Sequence, residues 1–121
     1  MKFTQDNSAS THAVSGRAPG EVRIGERLFR RSVLVSAEAI DDTWSPRNVA
    51  ERGDALEPVF AIRPEILILG TGETQQFPEP AVFAAVAAQG IGFEVMDNGA
   101  ACRTYNVLLA EGRRVTLALI L

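Results

Sequence analysis

The chain has little of the chemistry on which metal centres and disulfide bonds depend. Its 121 residues include one cysteine and one histidine. A lone cysteine cannot form an internal disulfide bond, which is typical of proteins in a reducing compartment. A metal centre needs three or four protein ligands, and this composition offers no cluster at a diagnostic spacing. We therefore expect no metal site and no cofactor.

The sequence also has no large excess of positive or negative charge and no long apolar run. The net charge is −3, from 12 basic and 15 acidic residues, and basic residues cluster only as the pairs Arg30-Arg31 and Arg113-Arg114. This argues against binding to nucleic acid or to acidic membranes through bulk charge. The apolar run at residues 115–121 is far too short to span a bilayer. The polar first six residues do not match a signal peptide or a presequence, so we expect a bacterial, cytoplasmic protein.

The length of the chain fits one domain with a substantial core. Apolar residues make up 46% of the sequence, as in ordinary globular proteins. Residues 1–19 are rich in small polar side chains and are predicted to form a flexible arm before a single domain at 20–121. His12 falls in this arm, and we interpret it as an exposed tail residue rather than a metal ligand.

The second half of the chain predicts alternating strands and helices. The segments are a buried strand at 65–69, a helix at 80–89, a strand at 92–96, a helix at 98–111 and a strand at 115–121. This order requires crossover connections, so this half is predicted to be α/β.

The first half of the chain adds β-structure. Alternating or β-branched runs predict strands at 21–25 and 32–36. Turn residues surround the only tryptophan, Trp44. Residues 54–61 are predicted to form a short helix or turn disturbed by Pro58.

The buried strand at 65–69 ends in Gly70, Thr71 and Gly72. Two glycines allow a tight turn, and backbone amides in such a turn can bind an anion. A purely structural turn is the alternative. The segment leads into no helix and contains no Gly-Lys-Ser/Thr, which disfavours a dinucleotide or nucleoside triphosphate site.

Residues 97–106 form the most distinctive segment. Asp97 or Asn98 can cap the helix, whose start offers free N–H groups and a partial positive charge. Arg103 and Asn106 share a helix face and could hold a carboxylate or phosphate. The alternative is an internal ion pair of Arg103, for instance with Asp97 or Glu94.

Cys102 and Tyr105 lie in the same helix. The helix start and Arg103 would lower the pKa of an outward-facing thiol. A nucleophilic cysteine needs a nearby base, however, and the only histidine lies in the predicted arm. We interpret Cys102 first as a buried packing residue and second as part of a binding site, and Tyr105 as a packing residue.

No catalytic residue is therefore predicted. The candidate ligand-binding residues, expected at one end of a sheet, are Gly70, Thr71, Gly72, Asn98, Cys102, Arg103, Tyr105 and Asn106.

These segments, taken together, resemble the Mth-938-like domain family. The resemblance covers about residues 20–121 and is carried by 64–72, 90–97, the string Ala-Cys-Arg-Thr-Tyr-Asn at 101–106, and 111–113. It implies a β plus α/β fold in three layers with a central mixed sheet. The family is one of unknown function with no established enzymatic reaction, and it includes a mitochondrial assembly factor for respiratory complex I. Asn98 departs from the threonine expected there, and either residue can cap a helix.

Two hypotheses follow for the function. The first is a non-enzymatic cytoplasmic protein that assists assembly of a respiratory complex through protein partners, as the resemblance implies. The alternative is a protein that binds a small anion, or an uncharacterised enzyme, with a pocket between the turn at 70–72 and the helix start at 98–106. A structural dimer is a third hypothesis.

Overall fold

The computed structural model describes residues 12–44 and 56–121. Within these ranges the chain forms eight strands and three helices. They are β1 Val14–Ala18, β2 Glu21–Ile24, β3 Arg27–Phe29, β4 Val33–Val35, β5 Ile40–Asp41, α1 Glu57–Ile62, β6 Ile66–Gly70, α2 Pro80–Ala88, β7 Gly92–Met96, α3 Asn98–Ala110 and β8 Val115–Leu119.

The strands form two sheets. A small antiparallel sheet has the order β1-β2-β3, and a five-stranded mixed sheet has the order β5-β4-β8-β6-β7. In the larger sheet β6 runs parallel to both β7 and β8, whereas β4 runs antiparallel to β8 and β5.

The core divides into two clusters on opposite faces of the larger sheet. Ile68 of β6 belongs to the cluster that includes Tyr105 of α3 and Val22 of the small sheet. Its neighbour Leu67 belongs to the cluster formed with α1 and α2, because successive side chains of a strand point to opposite faces. The fold therefore has three layers around a central mixed sheet, which confirms the predicted architecture.

The crossovers explain why α2 and α3 lie on opposite faces. The chain leaves β6, passes through α2 and adds β7 on one side. It then returns through α3, past β6, to form β8 on the other side. Right-handed connections in opposite directions place their helices on opposite faces. β6 is consequently covered on both sides, and Leu67, Ile68 and Leu69 are at most 3% exposed, as predicted for a continuously apolar strand.

The first half of the chain differs from the prediction at β1 and α1, and it also contains the unpredicted strands β3 and β5. The expectation of a flexible arm is wrong for Val14–Ala18, which form β1 and pair with β2. Residues 1–11 of that arm lie outside the described residues. Pro58 does not disturb α1 but occupies its first turn, where a missing N–H costs no helical hydrogen bond.

None of the helices in the described ranges is long and apolar enough to cross a membrane.

Candidate functional site

Four of the predicted site residues, Gly70, Thr71, Gly72 and Asn98, meet at the carboxyl edge of three parallel strands. Gly70 of β6 lies in register with Met96 of β7 and with Leu119 of β8. The chain leaves β6 and β7 toward helices on opposite faces, so the two loops diverge at a topological switch point. Ligands of open α/β sheets commonly bind at such a point.

In this protein the two diverging loops are joined by hydrogen bonds. Thr71 N–H donates to the Met96 carbonyl at 2.9 Å, and Asn98 N–H donates to the Gly72 carbonyl at 2.8 Å. Gly72 N–H donates to Asn98 Oδ1 at 3.0 Å. The amides of Thr71 and Gly72, which the anion hypothesis places around a ligand, are therefore bonded to protein acceptors.

Asn98 fills the gap between the strand ends. Its side chain is buried, and Nδ2 donates to the Ile120 carbonyl at 3.0 Å. One amide group thus satisfies backbone groups in the loop after β6 and in the segment after β8. Satisfying buried backbone groups in this way is a structural role that the sequence analysis did not assign to Asn98.

Gly70 is required by the close approach of α3. A Cβ atom on Gly70 would clash with Asn98 Oδ1 and lie 2.6 Å from Leu119 Cδ2 and 3.2 Å from Ala101 Cβ. Gly72 has a φ of 109°, which favours glycine. The two glycines therefore serve a close contact and a turn respectively.

The structure decides which residue caps α3. Asp97 is the N-cap, and its Oδ1 accepts a hydrogen bond from Ala100 N–H at 2.9 Å. Asn98 is the first helical residue, and its side chain points into the core instead.

Cys102 is buried in the core cluster that also contains Tyr105. Burial raises the pKa of its thiol to about 11, although the charges of Arg17 and Arg103 act in the opposite direction. The thiol is therefore protonated at neutral pH, which is expected of a packing residue rather than a nucleophile.

Tyr105 and Asn106 attach the first strand of the small sheet to α3. The Tyr105 hydroxyl donates to the His12 carbonyl at 2.9 Å. Asn106 Nδ2 donates to the Val14 carbonyl at 2.8 Å, and its Oδ1 accepts from Val14 N–H at 2.9 Å. His12 is itself held, with Nδ1 2.7 Å from the Ser36 carbonyl, so it is not the exposed tail residue we expected.

Two guanidinium groups approach the start of α3. A Cβ atom on Gly99 would lie 3.5 Å from Arg103 Nη1 and 3.6 Å from Arg17 Nε. Arg17 also forms a bidentate ion pair with Glu73 at 3.2 and 3.3 Å. Arg103 is exposed and has no ion pair within residues 12–44 and 56–121. Sequence analysis missed Arg17 because the residue lies in the segment expected to be an arm.

Two adjoining cavities lie away from this edge, between α1 and the segment around β4 and β8. Their volumes are about 280 and 250 Å³, and both are lined by Ser36, Ala39, Ile62 and Thr116. Thr116 is 1% exposed, and its hydroxyl makes no hydrogen bond within the described residues. No pattern in the sequence indicated these cavities, because their walls come from three separate segments, 34–41, 58–64 and 109–116.

No group of three or more His, Cys, Asp or Glu side chains that could hold a metal ion is found in the described part of the chain.

Solved structures define the class of fold. An NMR structure of a Xanthomonas campestris protein is 37% identical, covers 99% of this chain and 92% of its own, and superimposes with a TM-score of 0.81. A Bordetella pertussis protein described as a Mth938-like domain is 27% identical over 98% of this chain and 91% of its own, with a TM-score of 0.80. The fold is therefore Mth938-like.

The family is shown directly by its sequence model, which matches residues 14–120. The chain belongs to the family described as "Protein of unknown function (DUF498/DUF598)". This confirms the resemblance found in the sequence, and the match includes β1.

Two different descriptive names occur among the relatives. A Francisella tularensis protein named "13 kDa major membrane protein" is 34% identical over 93 residues, which are 77% of this chain and 72% of that protein. The Bos taurus protein named NADH dehydrogenase (ubiquinone) 1 alpha subcomplex assembly factor 3 is 33% identical over 102 residues, covering 84% of this chain. The match spans 55% of the bovine protein, so this chain corresponds to about half of that relative.

Proposed function

We propose that this protein acts through protein partners, without catalysis, in the assembly of a respiratory NADH dehydrogenase complex in a bacterial cytoplasm. The observation that carries the proposal is the 33% identity over 102 residues to a bovine protein named as an assembly factor for such a complex. The burial of Cys102 and Tyr105 supports a binding role, because neither reactive group is exposed to a substrate.

The name of the Francisella relative is compatible with this proposal. A protein that binds peripheral subunits of a membrane complex is recovered with membranes without inserting into them. We therefore infer that the partners are subunits or peripheral domains exposed to the cytoplasm.

The proposal is tested by native affinity purification of the tagged full chain, expressed at its normal level. We expect enrichment of NADH dehydrogenase subunits over an untagged control. A deletion strain should lose assembled NADH dehydrogenase on native gels while succinate dehydrogenase remains unchanged. Normal assembly in the deletion strain, with no subunit enriched, would disprove the proposal.

A second candidate function, binding of a small anion, is favoured by the two guanidinium groups at Gly99. Arg103 places positive charge beside the first turn of α3, which has 13 residues and a favourable dipole. Arg17 adds to it while paired with Glu73, and the Asp97 carboxylate lies at the same turn. The ligand would lie on the outer side of the helix start, since the Thr71 and Gly72 amides are already bonded. An uncharacterised enzyme would use the same site to hold an anionic substrate.

Titration with inorganic phosphate, followed through the amide signals of Gly99 and Ala100, tests this second function. We expect chemical-shift changes that saturate with phosphate, and we expect Arg103→Ala to lower the affinity for phosphate by about tenfold. Arg114→Ala is the matched control, because Arg114 is also exposed but lies at the opposite end of β8. Equal effects of the two substitutions, or shifts without saturation, would rule the site out.

A further inference from the structure

Among the described residues, the strand β7 forms one edge of the central sheet and pairs only with β6. Gly92 N–H donates toward β6, to the Glu65 carbonyl at 3.0 Å, and the Met96 carbonyl accepts from Thr71 on the same side. Backbone groups of successive strand residues point to opposite sides. The N–H and C=O groups of Phe93 and Val95 therefore point away from the sheet.

Most of these outward groups have no partner in the part of the chain that the structure describes. Gln75 Nε2 donates to the Val95 carbonyl at 2.9 Å, from an exposed side chain. Phe93 N–H, Phe93 C=O and Val95 N–H make no hydrogen bond within residues 12–44 and 56–121. Proteins usually cover such an edge, because it is a template for pairing with another strand.

One edge strand of the small sheet, β1, is capped by a side chain at Val14. Both backbone groups of Val14 in β1 are bonded by the side chain of Asn106. No equivalent side chain reaches Phe93 from the described residues. The outward backbone groups of Phe93 therefore lack the side-chain cap that Val14 has.

The side chains beside β7 differ between its two faces. On the α2 face, the Phe93 ring lies 5.1 Å from that of Phe83, which is 37% exposed. Phe77, in the loop that also carries Gln75, is 68% exposed. On the opposite face Glu94 presents an exposed carboxylate. A strand added here would meet aromatic groups on one face and negative charge on the other.

We propose that β7 is the docking edge for an extended segment of a partner protein, with apolar residues alternating with Lys or Arg. The segment would add a sixth strand to the central sheet, its backbone bonding to Phe93 and Val95 and its basic side chains facing Glu94. This inference rests on the proposed function, since it names the surface through which partners bind. A second copy is a poorer occupant, because antiparallel pairing centred on Glu94 places two carboxylates opposite each other.

The test uses the full chain and a synthetic peptide of about six residues that alternates Lys or Arg with Val or Phe. Amide hydrogen exchange is measured at Phe93 and Val95 with and without peptide. We expect exchange to slow by about tenfold or more at both amides. Peptides with Glu in place of the basic residues, or with the same composition in two blocks, should have no effect. Unchanged exchange at both amides with the alternating peptide would overturn the proposal.

A matched pair of variants tests the backbone contact. Val95→Pro removes the outward N–H and leaves the β6 pairing untouched, whereas Val95→Thr keeps the N–H. We expect Val95→Pro to weaken peptide affinity by about tenfold and Val95→Thr to leave it within about twofold. Equal affinities would overturn the proposal. Should Val95→Pro fail to fold, Glu94→Lys replaces it and should reverse the preference toward the Glu-containing peptide.

Failure of this inference can be told apart from failure of the proposed function. Recovery of respiratory subunits by wild-type and Glu94→Lys protein alike would refute the docking edge and leave the function standing. If the peptide protects Phe93 and Val95 but native purification recovers no respiratory subunit, the proposed function is refuted and the docking edge stands. A dimer in which these two amides are already protected without peptide would show that a second copy occupies the edge, and would overturn the proposal.

Discussion

Asn98 and Gly72 exchange two hydrogen bonds, one from the Asn98 N–H to the Gly72 carbonyl at 2.8 Å and one from the Gly72 N–H to Asn98 Oδ1 at 3.0 Å. This exchange joins the loops that follow β6 and β7. A third bond, from Asn98 to the Ile120 carbonyl, adds the segment after β8. The edge at which α/β proteins commonly bind ligands is here used partly to hold the domain together.

Replacing Asn98 with alanine should lower the free energy of unfolding by about 2–4 kcal/mol. The substitution leaves a part-buried Gly72 N–H and a buried Ile120 carbonyl without partners. Urea unfolding measures the change. Gln75→Ala is the control, because it removes an exposed amide side chain and should cost no more than about 0.5 kcal/mol. Equal losses for the two variants would contradict the structural role of Asn98.

Gly70→Ala should destabilise the protein by about 1–3 kcal/mol or prevent folding. The added methyl group meets Asn98, Leu119 and Ala101, and α3 must shift to accommodate it. Gly16→Ala is the matched control, since a Cβ atom there has no neighbour within 4 Å. Thermal unfolding of both variants tests the difference, and a neutral Gly70→Ala would show that α3 can move freely.

Asn106→Ala should detach β1 locally from α3. Both backbone groups of Val14 lose their side-chain partner, so amide exchange at Val14 should accelerate by about tenfold or more. The exposed neighbour Val107 provides a control, because Val107→Ala removes no hydrogen bond and should leave exchange at Val14 unchanged. Faster exchange throughout the domain, rather than at β1, would indicate global destabilisation instead.

Cys102 should react slowly with iodoacetamide at pH 8. Burial raises its pKa to about 11 from an ordinary value of 9.0, so the folded protein holds very little thiolate at that pH. The urea-unfolded chain should react at least about tenfold faster at the same pH. Comparable rates would show that the thiol is exposed or activated.

The same pKa shift predicts a pH dependence of stability. The folded state binds the thiol proton more tightly than the unfolded state, so the contribution is complete below pH 9 and is lost as the pH rises toward 11. Cys102→Ala should lack this part of the decline. Identical profiles for wild type and variant between pH 9 and 11 would contradict the shift.

Thr116→Val should leave stability unchanged or raise it by about 1 kcal/mol. The Thr116 hydroxyl is buried beside two cavities without a hydrogen bond in the described part of the protein, so its removal relieves a desolvation cost. Thr71→Val is the contrasting variant, because the Thr71 hydroxyl donates to the Thr74 carbonyl at 2.8 Å and accepts from Gln76 N–H at 3.0 Å. Thr71→Val should lower the free energy of unfolding by about 1–3 kcal/mol.

The elements of the second half of the chain were predictable because their apolar patterns are local. β6 is apolar at every position until Gly70, and α3 begins after a capping residue and ends near Gly112. β1 was missed because Ser15, Gly16 and Arg17 are exposed in the structure and carry no apolar alternation. Its attachment comes from Asn106, which lies 92 positions away in the sequence.

The ends of the elements that carry Gly70 and Asn98 were predictable, but the contacts these residues make were not. The positions of Gly70 and Asn98 follow from where β6 ends and where α3 begins, and both can be read locally. Asp97 and Asn98 are equally good caps by residue type, and only the three-dimensional register decides between them. The approach of Arg17 to Gly99 depends on the docking of the small sheet, which no local pattern encodes.

The position of β8 has a consequence for how the domain folds. This strand lies between β4 and β6, and Val33 pairs with Leu119 from the opposite end of the domain sequence. During synthesis on the ribosome, the central sheet therefore cannot form completely until β8 has emerged. Until then, the edge of β6 that pairs with β8 has no partner strand. Such long-range pairing raises the contact order and slows folding, so stalled or truncated chains would expose an aggregation-prone edge at the centre of the sheet.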